Sequence, residues 1–407
     1  MSLPASSSPG HLNSDRKKLR IAVFNRTFST AGGGAERYSI ALVEQLAARH
    51  DMHVFAQEIG HQWPGVTYHR VPVFLRKPRW INQLWFATLT WWMTRQGFDV
   101  VHSHENTWHG DVQTVHVLPV KYTLLDKPAG WRRALRWIKI ASSPRLLTYL
   151  GLERLRFNFW QAKKVVATSE SLQHIMASTY PDCKKMLSVI TPGISMPLLQ
   201  ENKVGKARRF EARESLGLPQ NAHCILFIAN DYRRKGLPTL LKSLASLPAD
   251  FILAVVGNTS QKAIFDAQVK ALGLQTRVFF LGSLHQVSPA YEAADCLAHP
   301  TLEDTFAMVV LEAMSYGLPV VVSSASYCGI SGLLQHGVNA LIVNNPLDAK
   351  ELHHALAQAL SQTLLKEQLS QNAVDFAGRY QWNQLALEQE VLYLEVVAAK
   401  RGLHIIK

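Results

Sequence analysis

A strand, a glycine-rich or basic loop, a helix and a second strand follow one another twice along this chain, and that repetition limits the fold more than any other feature. The first copy runs through RIAVFN (Arg20 to Asn25), the loop STAGGGAER, a helix from about Ala35 to Arg49 with Ile40, Val43 and Ala47 on one face, and the strand DMHVFAQ. The second runs through ILFIAN, the loop NDYRRKG, the helix PTLLKSLASL and the strand FILAVVG. Units of this kind build parallel, doubly wound sheets. At 407 residues the chain exceeds one such core and fits two. Further short strands are expected at Val66 to Val71, Asp99 to His104, Asp111 to Val117, Lys163 to Ser169 and Met186 to Ile194. The expected division is a disordered leader at 1–18, a first α/β domain at 19–199, a polar, basic linker at 200–215, a second α/β domain at 216–378, and a C-terminal segment at 379–407 whose helix crosses back to the first domain.

Charge separates the halves. Residues 1–200 hold 25 Lys and Arg against 12 Asp and Glu, whereas 201–407 hold 18 of each, so the whole net charge of +13 lies in the first half. Nine of the ten Trp fall between Trp63 and Trp160. Basic and amphipathic aromatic residues in one region point to an anionic surface as partner. Cys183, Cys224, Cys296 and Cys328 are isolated, which disfavours a zinc site or a disulfide framework and reads as four buried small apolar residues. The first residues lack the apolar core of a signal peptide, and no apolar run approaches the roughly 20 residues of a membrane span.

The segment HPTLEDTFAMVVLEAMSYGLPVVVSS, His299 to Ser324, carries the chemistry. Asp304 and Thr305 are positioned to cap a helix that reaches about Tyr316, and Gly317 with Pro319 ends it before a buried strand. Backbone N–H groups at Phe306, Ala307, Met308 and Val309 would then face phosphate oxygens. Glu312, about two turns further in, would meet a pair of ribose hydroxyls; a capped surface helix with an ordinary Glu is the alternative. Arg233, Arg234 and Lys235 follow a strand, at the carboxyl edge where such sheets bind ligands, although three basic residues in a row also suit a solvated loop. Gly32, Gly33 and Gly34 allow close approach to the backbone or a tight turn. They do not form GxGxxG and lack the acidic residue about 20 positions later, so dinucleotide binding is disfavoured.

The order GGGAER, RRKG, GSL and PTLEDTFAMVVLEAMSYGLPVV resembles the retaining glycosyltransferases of family 4, which have the GT-B fold, and within them the lipopolysaccharide core glucosyltransferase group. The resemblance is strong from Cys224 to Asn345 and weaker between Asn25 and Ile194. It implies two Rossmann-like domains facing a cleft and no cofactor beyond a nucleotide-sugar substrate, with UDP as the nucleotide. That family uses a Glu-x7-Glu pair, the first on sugar hydroxyls and the second on ribose. Glu312 matches the second position. Asp304 stands at the first with Glu303 beside it, so the first position departs from the pattern, and Asp304 could equally be only a helix cap. The family's Arg five residues before the Lys is Asn230 here, leaving Arg234 and Lys235 to carry the diphosphate. Sugar-phosphate contacts fall on Gly33 and Gly34, and base-binding backbone on Ser283 and Leu284. His116 matches a His that bonds the transferred sugar, and Asp111 an acidic residue that orients the acceptor or receives its proton; a structural strand-end His is the alternative.

No Asp-x-Asp occurs, so the resemblance implies a metal-independent reaction in which protein groups meet the leaving-group charge. From Lys121 to Lys164 stand 11 Lys and Arg against Asp126 and Glu153. AGWRRALRWIKIASS reads as a basic amphipathic helix, with Trp131, Arg132, Arg133, Arg136, Trp137 and Lys139 as an interfacial anchor, or as an internal helix with a basic outer face. A second aromatic cluster lies in RKPRWINQLWFATLTWWM. The resemblance implies a lipid-linked saccharide acceptor at the inner face of the inner membrane, a cytoplasmic location, and a monomer or weak oligomer. A sugar-nucleotide epimerase or hydrolase of the same fold is the nearest rival. A nucleic-acid-binding protein is disfavoured, because no RNP, KH or helix-turn-helix pattern is present.

Overall fold

A computed structural model describes residues 18–30, 32–126, 131–157, 163–197 and 205–402. Residues 1–17 of the expected leader, residues 198–204 with the first part of the expected linker, and Trp160 lie outside them, as do the side chains of Arg132, Arg133 and Arg136. The first half contains β1 (Arg20–Phe24), β2 (Thr27–Phe28), α1 (Gly34–Leu46), β3 (Asp51–Ala56), β4 (Glu58–Ile59), β5 (Val66–Arg70), α2 (Arg79–Thr94), β6 (Val100–Ser103), β7 (Val112–Val115), α3 (Trp131–Ala141), α4 (Pro144–Phe157), β8 (Lys164–Ala167), α5 (Glu170–Thr179) and β9 (Leu187–Val189). The second contains α6 (Gly205–Ser215), β10 (His223–Ile228), α7 (Leu237–Ser246), β11 (Phe251–Val256), α8 (Lys262–Ala271), β12 (Val278–Gly282), α9 (Ser288–Ala293), β13 (Cys296–His299), α10 (Met308–Ser315), β14 (Val320–Ser323), β15 (Leu341–Val343), α11 (Ala349–Ser361), α12 (Thr363–Ala377) and α13 (Trp382–Lys400).

Two wholly parallel sheets result, in the strand orders β5-β3-β1-β6-β7-β8-β9 and β12-β11-β10-β13-β14-β15. Their central strands read as continuous apolar runs because helices cover both faces. In β10, Cys224 and Leu226 enter one core while Ile225 and Phe227 enter the other. In β1, Ile21 and Val23 face one side and Ala22 and Phe24 the opposite one. This is the expected pair of Rossmann-like sheets. Since every strand is parallel, all carboxyl ends of a sheet share one edge, and that edge gathers the loops that carry the site.

The chain passes between the sheets twice, at residues that bond to each other. Ile194 N–H donates to the Tyr380 carbonyl at 2.7 Å, and Trp382 N–H donates to the Ile194 carbonyl at 3.3 Å. From there α13 returns to the first sheet, where Trp382, Leu385 and Tyr393 share a core with Ile21, Tyr38 and Val43.

The expected linker is corrected by the structure. Gly205–Ser215 form α6, docked on α9. Arg213 is fully buried and donates to Asp295 at 2.9 Å and to the carbonyls of Ala293, Pro219, Gln220 and Ala222. Arg209 and Lys366 reach the same carboxylate at 2.8 and 3.2 Å. A buried guanidinium costs several kcal/mol in desolvation unless its donors find acceptors, and these oxygens supply them. The four cysteines are buried and free, as read from their spacing. Among the described residues no helix is long and apolar enough to cross a membrane.

Candidate functional site

Lys235 and Asp304 form the centre of the cleft on the second sheet. Lys235 Nζ donates to Asp304 Oδ2 at 2.5 Å and to the Glu303 carbonyl at 3.1 Å, while Arg234 pairs with the Glu303 carboxylate. The basic loop seats this closely because Gly236 adopts φ +88°, where a Cβ would collide with the Pro300 carbonyl. Asp304 Oδ2 also accepts from His299 Nε2 at 3.1 Å, and Oδ1 accepts from the N–H groups of Phe306 and Ala307 at 3.3 and 2.9 Å. Burial alone would raise the pKa of Asp304, but the bonds from His299 and Lys235 reverse this and hold it below the ordinary carboxylate range.

The expected helix start is therefore corrected. The helix begins at Met308, not near Asp304, and its N-cap Ala307 has φ +74°, the one left-handed non-glycine residue among those described. A left-handed alanine costs roughly 1–2 kcal/mol and persists only where its surroundings impose it. Here Asp304 imposes it, and in doing so takes the Phe306 and Ala307 N–H groups expected to serve a phosphate. Those of Met308 and Val309 have no partner among the described residues. Asp304 is thus an anchor of the loop, and together with Glu303, Leu118, Tyr122 and Ser171 it lines a hollow of about 150 Å³.

Glu312 meets both halves of the molecule. Its Oε1 accepts from Arg37 Nη1 of α1 at 2.7 Å, and its Oε2 accepts from the Tyr291 hydroxyl at 2.6 Å. Gly34 stands opposite Met308, whose sulfur lies 3.3 Å from where a Cβ would be. Thr305 ties the cleft again: its hydroxyl donates to the His116 carbonyl at 2.7 Å, and its carbonyl accepts from Ser169 Oγ at 2.6 Å. Ser283 and Leu284 follow β12 on the same carboxyl edge. Arg37, Tyr291 and Ser169 were not singled out by the sequence, and Thr305 only as a helix cap. Arg37 had a local signal, since it closes GGGAER one helical turn after Gly33.

His116 and Asp111 part company. His116 follows the carboxyl end of β7 and faces the cleft; Asp111 precedes the amino end, about 16 Å away for five extended residues. Asp111 accepts from Lys400 Nζ at 2.6 Å and from the Val101 N–H at 2.8 Å. It fastens α13 to the sheet, and its expected role on the acceptor is withdrawn.

Helix α3 forms where the basic amphipathic pattern lies, and it is not internal: Trp131 is 70% and Trp137 52% exposed, Lys139 is exposed, and only Ile140 of the described side chains is buried. Leu135, Ile140 and Leu146 line an apolar hollow of about 480 Å³ between α3 and α4, with Lys139 and Arg145 at its rim. Trp91 and Trp92 of α2 are exposed as well.

Residues 208–376 match the family described as glycosyl transferases group 1, and residues 32–196 match glycosyltransferase family 4. The chain is 26% identical over 233 residues to the lipopolysaccharide glucosyltransferase WaaG of Escherichia coli, covering 56% of this chain and 61% of that protein. It is 28% identical over 227 residues to the D-inositol 3-phosphate glycosyltransferase of Corynebacterium urealyticum, covering 53% and 52%. These matches thus span between half and two thirds of the relatives' length. In three dimensions the crystal structure of WaaG superposes with a TM-score of 0.77 at 22% identity, over 91% of this chain and 98% of that one. HepE of Anabaena in complex with UDP-glucose gives 0.72 at 20% identity, over 92% and 99%. Both likenesses show the GT-B fold.

The histidines beside the cleft set a pH limit on stability. Burial, followed by the charge of Arg156, pushes His116 down to about 3; burial and its charged neighbours push His102 to about 3 and His104 well below its usual value. In the unfolded chain each titrates near ~6.5. Below that pH the unfolded state binds more protons, so the stabilisation is complete above about pH 6.5 and is lost as pH falls, by up to about 1.4 kcal/mol per unit for each histidine. Urea midpoints should fall steadily from about pH 7 to 5, and less steeply in His116→Asn; midpoints that do not move over this range would show that these histidines are not held neutral.

Proposed function

The chain belongs to the glycosyltransferases of family 4, and on that premise we propose that it moves a hexose with retention of configuration from a nucleoside diphosphate sugar, with UDP as the nucleotide, to a lipid-linked saccharide in cell-surface glycan synthesis. The observation that carries this reading is the meeting of three cation–carboxylate pairs in one cleft, Arg234–Glu303, Lys235–Asp304 and Arg37–Glu312. Such a cleft suits a ligand that is both anionic and rich in hydroxyls. The diphosphate would take Arg234 and Lys235 together with the Met308 and Val309 N–H groups, and the base would lie along the Ser283 and Leu284 backbone. Ribose hydroxyls would replace Arg37 on Glu312. The sugar would lie between Gly33, Gly34 and His116 on one side and Glu303 on the other, with Asp304 holding the loop from behind.

Departure of the diphosphate leaves an oxocarbenium-like sugar, and its charge is spread over groups already in place. The acceptor hydroxyl attacks from the face the diphosphate vacates: its oxygen bonds to the anomeric carbon, the carbon–oxygen bond to phosphate breaks, and its proton passes to the leaving phosphate oxygen. No step requires a metal ion. Trp131 and Trp137, with Arg132, Arg133, Arg136 and Lys139 on the same helix, would hold the enzyme as a peripheral protein on an anionic membrane surface, the cytoplasmic face of the inner membrane, where such an acceptor is presented.

Transfer of hexose from a panel of UDP-sugars to a lipid-linked core saccharide tests the reaction. Lys235→Ala should lower kcat/KM by about 100-fold or more, whereas release of free sugar at the same rate without acceptor would favour a hydrolase. Binding to vesicles should rise with the fraction of anionic lipid, fall with added salt, and weaken in Trp131→Ala with Trp137→Ala; binding indifferent to salt would remove the anchor.

A further inference from the structure

His104 and His116 end the neighbouring strands β6 and β7 on the edge that faces the cleft. Their rings are near parallel, with centroids 5.2 Å apart and planes inclined by 18°, and His104 Nδ1 lies 2.9 Å from His116 Nε2. One proton lies between these two nitrogens, and its owner decides what His116 offers to a ligand. If His116 supplies it from Nε2, neutral His104 must carry its own proton on Nε2. That nitrogen is buried and has no partner among the described residues, so the arrangement would strand an N–H donor. If His104 supplies it from Nδ1, its Nε2 is a bare lone pair and no donor is stranded. Orphaned buried donors are rarer in folded proteins than under-used acceptors, because an N–H has one possible bond and loses it entirely.

The surroundings agree. His102 lies beside His104, with ring centroids 4.3 Å apart and planes inclined by 36°, and is itself committed to Tyr393 and Thr114 at 2.6 and 2.7 Å, so it offers His104 Nε2 no acceptor. The Tyr38 ring lies 5.8 Å from His104 and 5.1 Å from His116. Arg156, buried nearby on Gln113 and the Thr114 carbonyl, adds positive charge that favours a neutral pair. His116 Nδ1 has no bond to any described residue.

We propose that His104 is a positioning residue that fixes His116 as the neutral tautomer protonated on Nδ1, so that His116 presents a hydrogen-bond donor, and not a base, to the sugar in the cleft. Its Nε2 lone pair is already taken by His104, so His116 cannot accept the acceptor's proton without breaking that bond. The proton must therefore leave by another route, which fits its passage to the departing diphosphate. The part concerning the sugar rests on the proposed transfer reaction; the tautomer does not.

The test is long-range nitrogen–proton NMR of the full chain labelled on histidine nitrogen, at about pH 7 where unperturbed histidines are mostly neutral. The His116 signals are assigned by their loss in His116→Asn. The expected pattern is a protonated Nδ1 and a hydrogen-bonded, unprotonated Nε2. His104→Leu should convert it to the averaged pattern of a mixed tautomer, and His104→Asn, whose amide can donate from nearly the same place, should restore it. A proton on His116 Nε2 in the unaltered protein overturns the proposal, and so does a pattern unchanged in His104→Leu. Since the spectrum is recorded without substrate, it decides the tautomer whether or not sugar transfer is detected. Adding UDP-hexose should then shift the Nδ1 signal, and failure of that shift alone would count against the sugar contact.

Discussion

One carboxylate organises the cleft. Asp304 gathers Lys235, His299 and two backbone N–H groups, while its own backbone bonds to Tyr327 and Gly329. Charge-assisted bonds of this kind contribute about 1.5–3 kcal/mol each, and removing one partner of a buried pair costs about 3–5 kcal/mol because the other charge is left stranded. These energies are large enough to hold Ala307 in its left-handed conformation, which turns α10 so that its first turn and Glu312 face the opposite domain. They also hold the Lys235 ammonium in the cleft. The geometry of the proposed anion site is thus set before any ligand arrives.

Beyond that anchor, the two sheets are joined by contacts of different strength. The crossings at Ile194 and Gln381, and the apolar seat of α13 on the first sheet, form the lasting connection. Arg37–Glu312, Thr305–His116 and Ser169–Thr305 are single polar contacts across the open side. A ribose or diphosphate that competes for Glu312 or Arg234 meets ion pairs that water already weakens, since Arg37 and Arg234 are 36% and 54% exposed. Exchange of an internal partner for a ligand group is therefore inexpensive at these positions and costly at Asp304, which is the division of labour a donor site needs.

Much of this was legible in the sequence because it rests on local pattern. The continuous apolar strands, the glycine-bounded helices and the repeat of the βαβ unit fix two parallel sheets, and parallel sheets fix the edge where loops meet. That same rule would have rejected Asp111, since a residue ahead of its strand cannot lie with His116 at the far end. Other features depend on partners remote in sequence. Nothing near Arg209 and Arg213 announces that both will pair with Asp295 and that Arg213 will be buried on it, so a polar stretch read as a linker is a packed helix. Nor does the local capping pattern of Asp304 distinguish a helix cap from a residue that diverts the chain onto Lys235 and starts the helix later. Arg37 on Glu312 is a contact between domains, invisible to any reading of either alone.

The central question is whether Glu312 holds the ribose of a nucleotide sugar inside this cleft. Calorimetric titration of UDP-hexose into the intact protein measures this most directly. One site per chain is expected, with affinity reduced by about 10- to 100-fold in Glu312→Ala, the loss expected when a bidentate carboxylate bond worth about 1.5–3 kcal/mol is removed. Equal affinity in the two proteins, or binding at a site that Glu312→Ala leaves untouched, would contradict it.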